Sequence, residues 1–477
     1  MIKRTYRAHP IIMLGTVKPF LFVLILPVVK GAVQYILSGR ITGILSPSLI
    51  AAALVSLIAY LNYRAFCITV DGNQIVINKG FFIKSTSVIR RERLSSVAVN
   101  RGILDLIFGS VTFKINTEAG TAGKTDFSFK LYRKDAKELF SLLYSAEGRT
   151  AVRFNVLKSA VLAAATSSAI TGLIVGVPII NNLGRILGVA LSKMLFDKLS
   201  HASSRFDAYF PPAVNIITVL LLAGYLASFL ITLIKMLRFK LKIGKEKIEV
   251  EYGVIARCHT VFKKSAINDL TVEQTPIMRI FKLFSMRAAV GGYGDNRGEK
   301  AIIVPAARYD EIRGAFSEVF DVLRLPQGAI KAERSKRNAI RFLWVPRIYA
   351  EIDIAATVVL ALSFPSVSRF LIVSGAALMT LIVYYGNLCF KSYKNGRLDI
   401  SDKIFASGFS GLTVRELYCD KSRVGEIKIS RTPADKLYGT CKVDIIVRSE
   451  SADKIRVRNL SYAEVAKKIE EIYRVTV

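Results

Sequence analysis

Six apolar stretches, each long enough to cross a bilayer as a helix, are the feature that most constrains how this chain can fold. A membrane-spanning helix needs about 20 mostly apolar residues. The stretches come in three pairs, and a long polar segment follows each pair. The predicted spans are Ile11–Ile36, Ile44–Tyr63, Val156–Ile180, Ala213–Met236, Ile348–Phe364 and Phe370–Leu388.

The charge of the chain supports the same prediction. It carries 68 Lys and Arg against 36 Asp and Glu, a formal net charge of +32, although 52% of its 477 residues are apolar. Soluble basic proteins and disordered basic tails are seldom this apolar. Three His and five Cys, an odd number without a CxxC pair, argue against a metal centre and a disulfide framework. These properties disfavour a secreted scaffold, a zinc protein and a water-soluble globular enzyme.

The position of the cations predicts the orientation of the spans. With the N-terminus inside, only six basic residues fall in the outer segments, and two more, Lys18 and Lys30, lie within the first span. Cytoplasmic segments of membrane proteins carry such an excess of Lys and Arg. We therefore predict a multi-pass protein of the cell membrane with cytoplasmic N- and C-termini, and we expect no cleaved signal peptide. The six outer cations are Arg40, Arg185, Lys193, Lys198, Arg205 and Arg369.

The three polar segments repeat one pattern. Each begins with alternating apolar residues around a polar turn, which predicts a β-hairpin, and a glycine that predicts a turn into the next strand. These hairpins are Phe66–Gly80, Phe239–Gly253 and the shorter Leu398–Gly408. Further strands follow, and an amphipathic helix closes each segment. The apolar faces of these helices consist of Ala136, Leu139, Phe140 and Leu143, then Ile312, Phe316 and Val319, then Val465, Ile469, Ile472 and Tyr473.

About seven short strands and one C-terminal helix in each segment predict a small antiparallel β-barrel or sandwich. The fold class is therefore an α+β membrane protein with three repeats of a transmembrane helical hairpin and a β-rich domain. The predicted hairpins are residues 1–63, 148–237 and 326–390, and the predicted domains are residues 64–147, 238–325 and 391–477. Residues 183–212 of the second hairpin form an outer interfacial segment, with a partner-docking helix over Gly184–Leu199 as the alternative.

Three motifs of the first repeat, DGNQIVINKGFF, RLSSVAV and LIFGSVTFKI, resemble bacterial pleckstrin-homology-like (PH-like) membrane proteins of the YdbS/YdbT type. The three-unit length is similar to YdbT-like members, and Arg7-Ala8-His9-Pro10 resembles their basic-His-Pro start. The third repeat departs most, with Thr432-Pro433-Ala434-Asp435 in place of a Leu/Arg-rich turn. The resemblance implies cytoplasm-facing PH-like domains without enzymatic activity. By analogy, it also implies assembly with a membrane protein such as a smaller PH-like relative.

Two local motifs have a chemical and a structural interpretation. Gly291–Gly298 is rich in glycine, but a strand rather than a helix follows it, so a hairpin loop is favoured over a phosphate-binding loop. Cys258 and His259 are adjacent on a strand, where neighbouring side chains point to opposite faces. The pair therefore does not predict a metal site.

Acidic residues at the inner end of the fifth span could form a proton or cation site, because acids within membranes are usually functional. Glu351 and Asp353, however, are two residues apart and diverge on a helix. Glu351 lies one turn from Arg347, so an interfacial ion pair is the favoured interpretation.

The basic runs Arg90–Arg93, Lys263–Lys264 and Arg334–Arg337 are interpreted mainly as solvated residues that set the topology, with recognition of anionic headgroups as the alternative. Nucleic acid is disfavoured because no aromatic residues interleave with the cations and no recognised motif is present.

We therefore predict a non-enzymatic, membrane-anchored binding or scaffold protein that presents three PH-like domains to a protein or lipid partner. We identify no nucleophile with its base and no carboxylate pair, so we predict no catalytic, metal-binding or cofactor-binding residue and no cofactor. The alternative is an accessory of membrane transport or export. Polar residues within the spans, Thr166, Ser167, Ser168, Asn215 and Thr218, would supply a path, although such residues more often make packing contacts.

Overall fold

Antiparallel strands and long apolar helices make up this computed structural model. It describes residues 4–17, 45–118, 125–144, 150–174, 176, 193–194, 197–198, 201, 212–291, 293, 299–316, 328–333, 336–410, 412–448 and 454–474. The predicted first span therefore lies outside the described residues except for its first turns. Most of the predicted outer segment 183–212 also lies outside them.

The strands follow one order along three stretches of the chain, which we call series 1, 2 and 3. Each series has a short strand before a pair of apolar stretches and six strands after it. Series 1 contains β1 (Arg4–Arg7), β2 (Cys67–Asp71), β3 (Gln74–Lys79), β4 (Ser85–Arg90), β5 (Leu94–Arg101), β6 (Ser110–Thr117) and β7 (Phe127–Tyr132). Series 2 contains β8 (Thr150–Arg153), β9 (Lys240–Ile243), β10 (Lys247–Tyr252), β11 (Arg257–Lys263), β12 (Ile267–Gln274), β13 (Phe284–Val290) and β14 (Ala301–Ala307). Series 3 contains β15 (Ile330–Lys331), β16 (Arg397–Asp399), β17 (Lys403–Ser410), β18 (Thr413–Asp420), β19 (Val424–Ser430), β20 (Thr440–Val447) and β21 (Lys454–Ser461).

A helix closes each series, and its buried face is the predicted one. Ala136, Leu139 and Leu143 are buried in the first of these helices, Ile312 and Phe316 in the second, and Val465 and Ile469 in the third. Val319 lies outside the described residues. The helices whose bounds the structure describes are α1 (Ile12–Val17), α2 (Leu45–Ala65), α3 (Ile103–Phe108), α4 (Arg133–Leu143), α5 (Val156–Thr166), α6 (Pro212–Met236), α7 (Pro276–Ile280), α8 (Tyr309–Phe316), α9 (Lys336–Ser363), α10 (Ser368–Asn395), α11 (Pro433–Leu437) and α12 (Tyr462–Tyr473).

Strand pairing joins consecutive series, which the sequence analysis did not predict. Strands β1–β4 form one sheet and β19–β21 another. Two seven-stranded sheets have mixed membership: β5 of series 1 pairs antiparallel with β11 of series 2, and β12 of series 2 pairs with β18 of series 3. Each series therefore uses backbone hydrogen bonds from a neighbouring series to cover a strand edge that would otherwise be open.

The chain divides into two compact units, and series 2 contributes to both. Unit 1 contains Met1–Val152, Lys240–Ala266 and Val290–Glu299, and unit 2 contains Arg153–Phe239, Ile267–Ala289 and Lys300–Val477. The core of unit 1 includes Phe113 and Phe129, whose rings stack with centroids 5.5 Å apart. It also includes Val261 of β11, so a strand of series 2 completes the core around series 1.

The glycines predicted to turn the chain after the first hairpins do so in series 1 and 2. Gly80 and Gly253 have φ angles of 86° and 98°, which favour glycine. A Cβ at either position would lie 2.1 Å from the Ile83 carbonyl oxygen or 1.8 Å from that of Ala256. The prediction is wrong for Gly408, which lies inside β17. A Cβ there would lie 2.3 Å from the Arg456 carbonyl oxygen, so this glycine permits close approach of β21.

Among the described residues, two helical segments, Ile217–Met236 and Pro365–Asn395, are long and apolar enough to cross a membrane by length and composition. The second follows α9, and the 3-10 turn Pro365–Val367 joins α9 to α10 between the predicted fifth and sixth spans. We call α9 and α10 the terminal hairpin.

The predicted span Val156–Ile180 is not one continuous helix. Helix α5 ends at Thr166, Ser167 is extended with ψ of 147°, and helical structure resumes at residues 169–174. The Ser167 hydroxyl donates to the Ala163 carbonyl at 2.5 Å, and the Ser168 amide donates to the Ser228 hydroxyl at 3.2 Å. Side chains thus form hydrogen bonds with backbone groups at the break. Hydropathy alone does not indicate that the helix breaks here.

Candidate functional site

A cavity of about 650 Å³ lies against one face of the seven-stranded sheet of unit 1, and we call it the sheet cavity. Successive side chains of a strand point to opposite faces, so every second residue of β5, β10 and β11 lines it. Helix α4 and the residue after it form the opposite wall. The strand side includes Val99, Arg101, Val111, Lys242, Lys247, Glu249, Glu251, Arg257, His259 and Val261, and the helix side includes Arg133, Ala136, Lys137, Phe140, Ser141 and Tyr144.

Glu249 is the centre of a hydrogen-bonded group in this cavity. Its Oε1 lies 2.7 Å from Nε2 of His259 and 2.7 Å from Nζ of Lys242. The hydrogen bond with His259, followed by that with Lys242, lowers the pKa of Glu249 to about 2. The carboxylate is therefore ionised at neutral pH and holds both partners against the strand face.

Aromatic side chains cover the helix side of the cavity. The His259 ring lies 4.4 Å from the Phe140 ring, and Nζ of Lys247 lies 4.9 Å above the Tyr144 ring. Burial raises the pKa of Tyr144 to about 12. The Tyr144 hydroxyl and Nε of Arg101 are buried without a hydrogen-bond partner among the described residues. Such groups usually have a partner, so a bound water or ligand is expected beside them.

The lining of the sheet cavity has an excess of positive charge. Six Lys and Arg side chains face two Glu side chains, alongside apolar walls from Val99, Val111 and Val261. A concave surface of one charge sign concentrates ions of the opposite sign. The cavity therefore favours an anionic ligand that also has an apolar part.

Three residue types associated with acyl transfer, Ser141, His259 and Glu249, line the same cavity. Nucleophilic catalysis requires the base to lie within hydrogen-bond reach of the nucleophile. The Ser141 hydroxyl instead donates to the Glu138 carbonyl at 2.8 Å, and no hydrogen bond joins it to His259 in the described part of the chain. Ser141 and His259 therefore do not form a hydrogen-bonded nucleophile–base pair in this structure.

The structure separates Cys258 from His259, as predicted for neighbours on a strand. Sγ of Cys258 lies 3.5 Å from Oγ1 of Thr260, whereas His259 lines the sheet cavity. Burial raises the pKa of the Cys258 thiol. All five cysteines are free, and the described residues contain no group of three His, Cys, Asp or Glu side chains arranged to hold a metal.

The predicted hairpin around the glycine-rich run and the predicted Arg347–Glu351 ion pair agree with the described contacts. Strands β13 and β14, which flank the glycine-rich run, pair antiparallel, although residues 292 and 294–298 lie outside the described part. Nε of Arg347 donates to Glu351 at 2.8 Å, while Asp353 is buried on another side of the helix. Among the basic runs, Arg91 donates to the Leu143 carbonyl at 2.9 Å, which fastens the end of α4.

Sequence reasoning did not identify the sheet cavity. The segment KLKIGKEKIEVEY already places Lys242, Lys247 and Glu249 on one face of the predicted hairpin, because they alternate with apolar residues. That signal could not show which helix faces them, since the cavity depends on β11 pairing with β5.

Antiparallel strands closed by an amphipathic C-terminal helix, together with a basic cavity beside the sheet, describe binding modules of the PH-like class. The family model of the bacterial PH domain matches residues 14–147 and 182–319, more than half of the chain. The chain belongs to the bacterial PH domain family, and this membership indicates a non-enzymatic binding or scaffold role. Series 3 lies beyond the matched residues. No curated protein and no solved structure matches the chain.

Proposed function

We propose that this chain is a YdbT-like, membrane-anchored binding or scaffold protein. Three transmembrane hairpins, residues 1–63, 148–237 and 326–390, hold three PH-like domains, residues 64–147, 238–325 and 391–477, at the cytoplasmic face of the cell membrane. Both termini are cytoplasmic. The domains bind a protein or lipid partner, such as a smaller PH-like membrane protein or anionic headgroups.

The terminal hairpin is the observation that carries the membrane part of this proposal. Its apolar side chains are exposed, with Leu362, Leu381 and Val359 at 76%, 64% and 60%. Large exposed apolar surfaces mark contact with a membrane or a partner. The base of the hairpin is fastened to series 3, because Nδ2 of Asn459 donates to the carbonyl oxygens of Glu333 at 2.6 Å and Tyr393 at 3.3 Å. A bilayer around the hairpin would therefore hold series 3 against its surface.

The sheet cavity supports the binding part. Its cationic lining suits an anionic partner, and the absence of a hydrogen-bonded nucleophile within the described residues fits a binding module. Several weak sites on one chain can also give strong overall binding through avidity.

The transport alternative rests on the helix break at Ser167 and Ser168, because broken helices at membrane depth often line a path. Two hydroxyls beside the break are already engaged: that of Thr166 donates to the Leu162 carbonyl at 2.9 Å and that of Ser167 to the Ala163 carbonyl. This geometry favours packing over transport. Solute flux into liposomes that contain the purified chain would reverse that preference.

The proposed function is tested by mild cross-linking of the tagged, membrane-embedded full chain, followed by identification of attached proteins and lipids. We expect one recurrent partner, and we expect its yield to fall when Arg133 and Lys137, exposed residues of the sheet cavity, are changed to Glu. Lys134→Glu is the matched control, because Lys134 is exposed on the same helix outside the cavity lining. Equal cross-linking by all variants, or recovery of the chain in the soluble fraction, would contradict the proposal.

A further inference from the structure

We propose that a second cavity, at the base of the terminal hairpin, binds the headgroup of an anionic phospholipid. This inference rests on the membrane anchoring proposed above. The cavity has a volume of about 420 Å³ and lies within unit 2, and we call it the hairpin cavity.

Both helices of the terminal hairpin line the hairpin cavity. Tyr385, Leu388 and Ser392 are spaced at three- and four-residue intervals, so they share one face of α10. Phe342 and Val345 face it from α9. Strands β20 and β21 of series 3 complete the cavity, which therefore lies where apolar helices meet a polar sheet.

The polar side of the cavity is strongly basic. Its lining includes Arg341, Arg431, Lys442, Arg456 and Arg458, whereas Asp435 is its one acidic residue among the described side chains. Arg341 lies 2.7 Å from Asp435, and Arg456 lies 2.8 Å from Asp444 outside the lining. Two of the arginines are therefore neutralised by carboxylates.

Arg431 and Arg458 have no carboxylate within ion-pair distance in the described part of the chain. The Arg431 guanidinium lies 4.1 Å above the Tyr462 ring, which fixes its position. Its Nε and the neighbouring Ser430 hydroxyl are buried without a hydrogen-bond partner among the described residues. An anion at this place would accept hydrogen bonds from donors that the protein leaves unused, and arginine suits phosphate because it can donate two bonds at once.

The apolar surroundings identify the phosphate as that of a membrane lipid. Trp344 and Val345, at the same level of α9, are exposed at 59% and 44%. Tryptophan is enriched at the membrane interface, and basic pockets between helices on the cytoplasmic side bind anionic headgroups. A free phosphate ion would satisfy the cations but leave this apolar surface uncovered, whereas acyl chains along the hairpin would cover it.

The test is native mass spectrometry of the detergent-purified full chain with dioleoylphosphatidylglycerol, with dioleoylphosphatidylcholine as the neutral comparison. We expect tighter binding of the anionic lipid, and an affinity about thirtyfold lower in R431Q/R458Q, since each cation near an anionic surface contributes about 1 kcal/mol. The control R448Q removes an exposed arginine outside the cavity lining and should bind as the wild type does.

Two further measurements make the result decisive. Because Arg431 packs on Tyr462, R458E provides a second variant at an exposed position that leaves this contact intact, and it should also bind the anionic lipid more weakly. Equal binding of the lipid by R458E, by R431Q/R458Q and by R448Q would overturn the inference. Displacement of the lipid by equimolar inorganic phosphate would also overturn the inference, because it would indicate a site for phosphate ions.

Carbonate extraction of membranes tests the anchoring separately. Extraction of the chain would overturn the proposed function, whereas an integral chain without lipid preference would overturn this inference alone.

Discussion

At the scale of single residues, the stability of the chain depends on how the charged groups buried within the strand series are paired. Asp269 is 1% exposed, and Nζ of Lys300 lies 2.8 Å from its Oδ1. The same ammonium group lies 2.5 Å from Oγ1 of Thr271. This ion pair is therefore shielded from water. Its contribution to stability depends on the close placement of the two groups and their hydrogen bonds.

Changing Lys300 to Met should destabilise the chain by about 3–5 kcal/mol, because a buried carboxylate loses its nearest cation. The thermal midpoint of the detergent-purified protein measures this loss. Lys403→Met, at an exposed position of the same unit, is the control. A midpoint as high in K300M as in the control would show that the ion pair contributes little.

His9 makes the stability of the folded chain depend on pH. Burial lowers its pKa below the ordinary value of 6.5, and its Nδ1 accepts a hydrogen bond from the Ile11 amide at 3.2 Å. The unfolded chain therefore takes up a proton at higher pH than the folded chain, and stability falls as the pH is lowered through 6.5. His9→Asn, which can still accept this hydrogen bond, should lose less stability than the wild type between neutral pH and about pH 5.5. Parallel curves of thermal midpoint against pH would refute the assignment.

At the scale of elements, close packing of small residues joins the helical segment 169–174 to α6. A Cβ at Gly172 would lie 1.6 Å from the Gly224 carbonyl oxygen, and one at Gly176 would lie 3.2 Å from Cβ of Ala227. Small residues four apart allow helix backbones to approach each other in this way.

Gly172→Val should force these helices apart and destabilise the chain by about 1–3 kcal/mol or more. The matched control is Gly15→Val, because a Cβ at Gly15 would have no atom within 4 Å. The readout is the thermal midpoint in detergent, and equal midpoints for the two variants would be incompatible with the packing described here.

Some elements of the fold can be predicted from the sequence and others cannot. The hairpin of β2 and β3 follows from alternation around Asp71 and Gln74, because all the residues that decide it are local. The break at Ser167 does not, since it depends on a hydrogen bond to Ser228 on another helix. Strand β1 could not be predicted because four residues ahead of the predicted first span carry too little pattern, although it pairs with β2 from Arg4 to Arg7.

At the scale of the whole molecule, the exchange of strands between series could not be predicted from sequence. Strand β11 has the sequence RCHTVFK, and nothing local in it indicates that β5 is its partner. The sheet cavity depends on that pairing, so its residues could be placed on a strand face but not assembled into a site. The family match covers β2–β7 of series 1 and β9–β14 of series 2 and likewise does not describe how strands pair between the series.

Val261 of β11 tests this dependence between series. It belongs to the core of unit 1 and pairs with Val97 of β5. Val261→Pro should expose series 1 to limited proteolysis, because proline breaks strand pairing. Val261→Ala, which keeps the backbone amide, should have a smaller effect. Equal protection of series 1 in both variants would show that it folds without β11.

The pairing of β5 with β11 also has a consequence for synthesis of the chain. Strand β5 ends at Arg101 and β11 begins at Arg257, which is 257 − 101 = 156 positions further along the chain. At about 5–20 residues per second, a ribosome needs roughly 8–30 s to make that stretch. During this interval the edge of β5 lacks its partner, and open edges invite pairing with other chains. Newly made molecules therefore pass through an aggregation-prone stage that ends only when β11 leaves the ribosome.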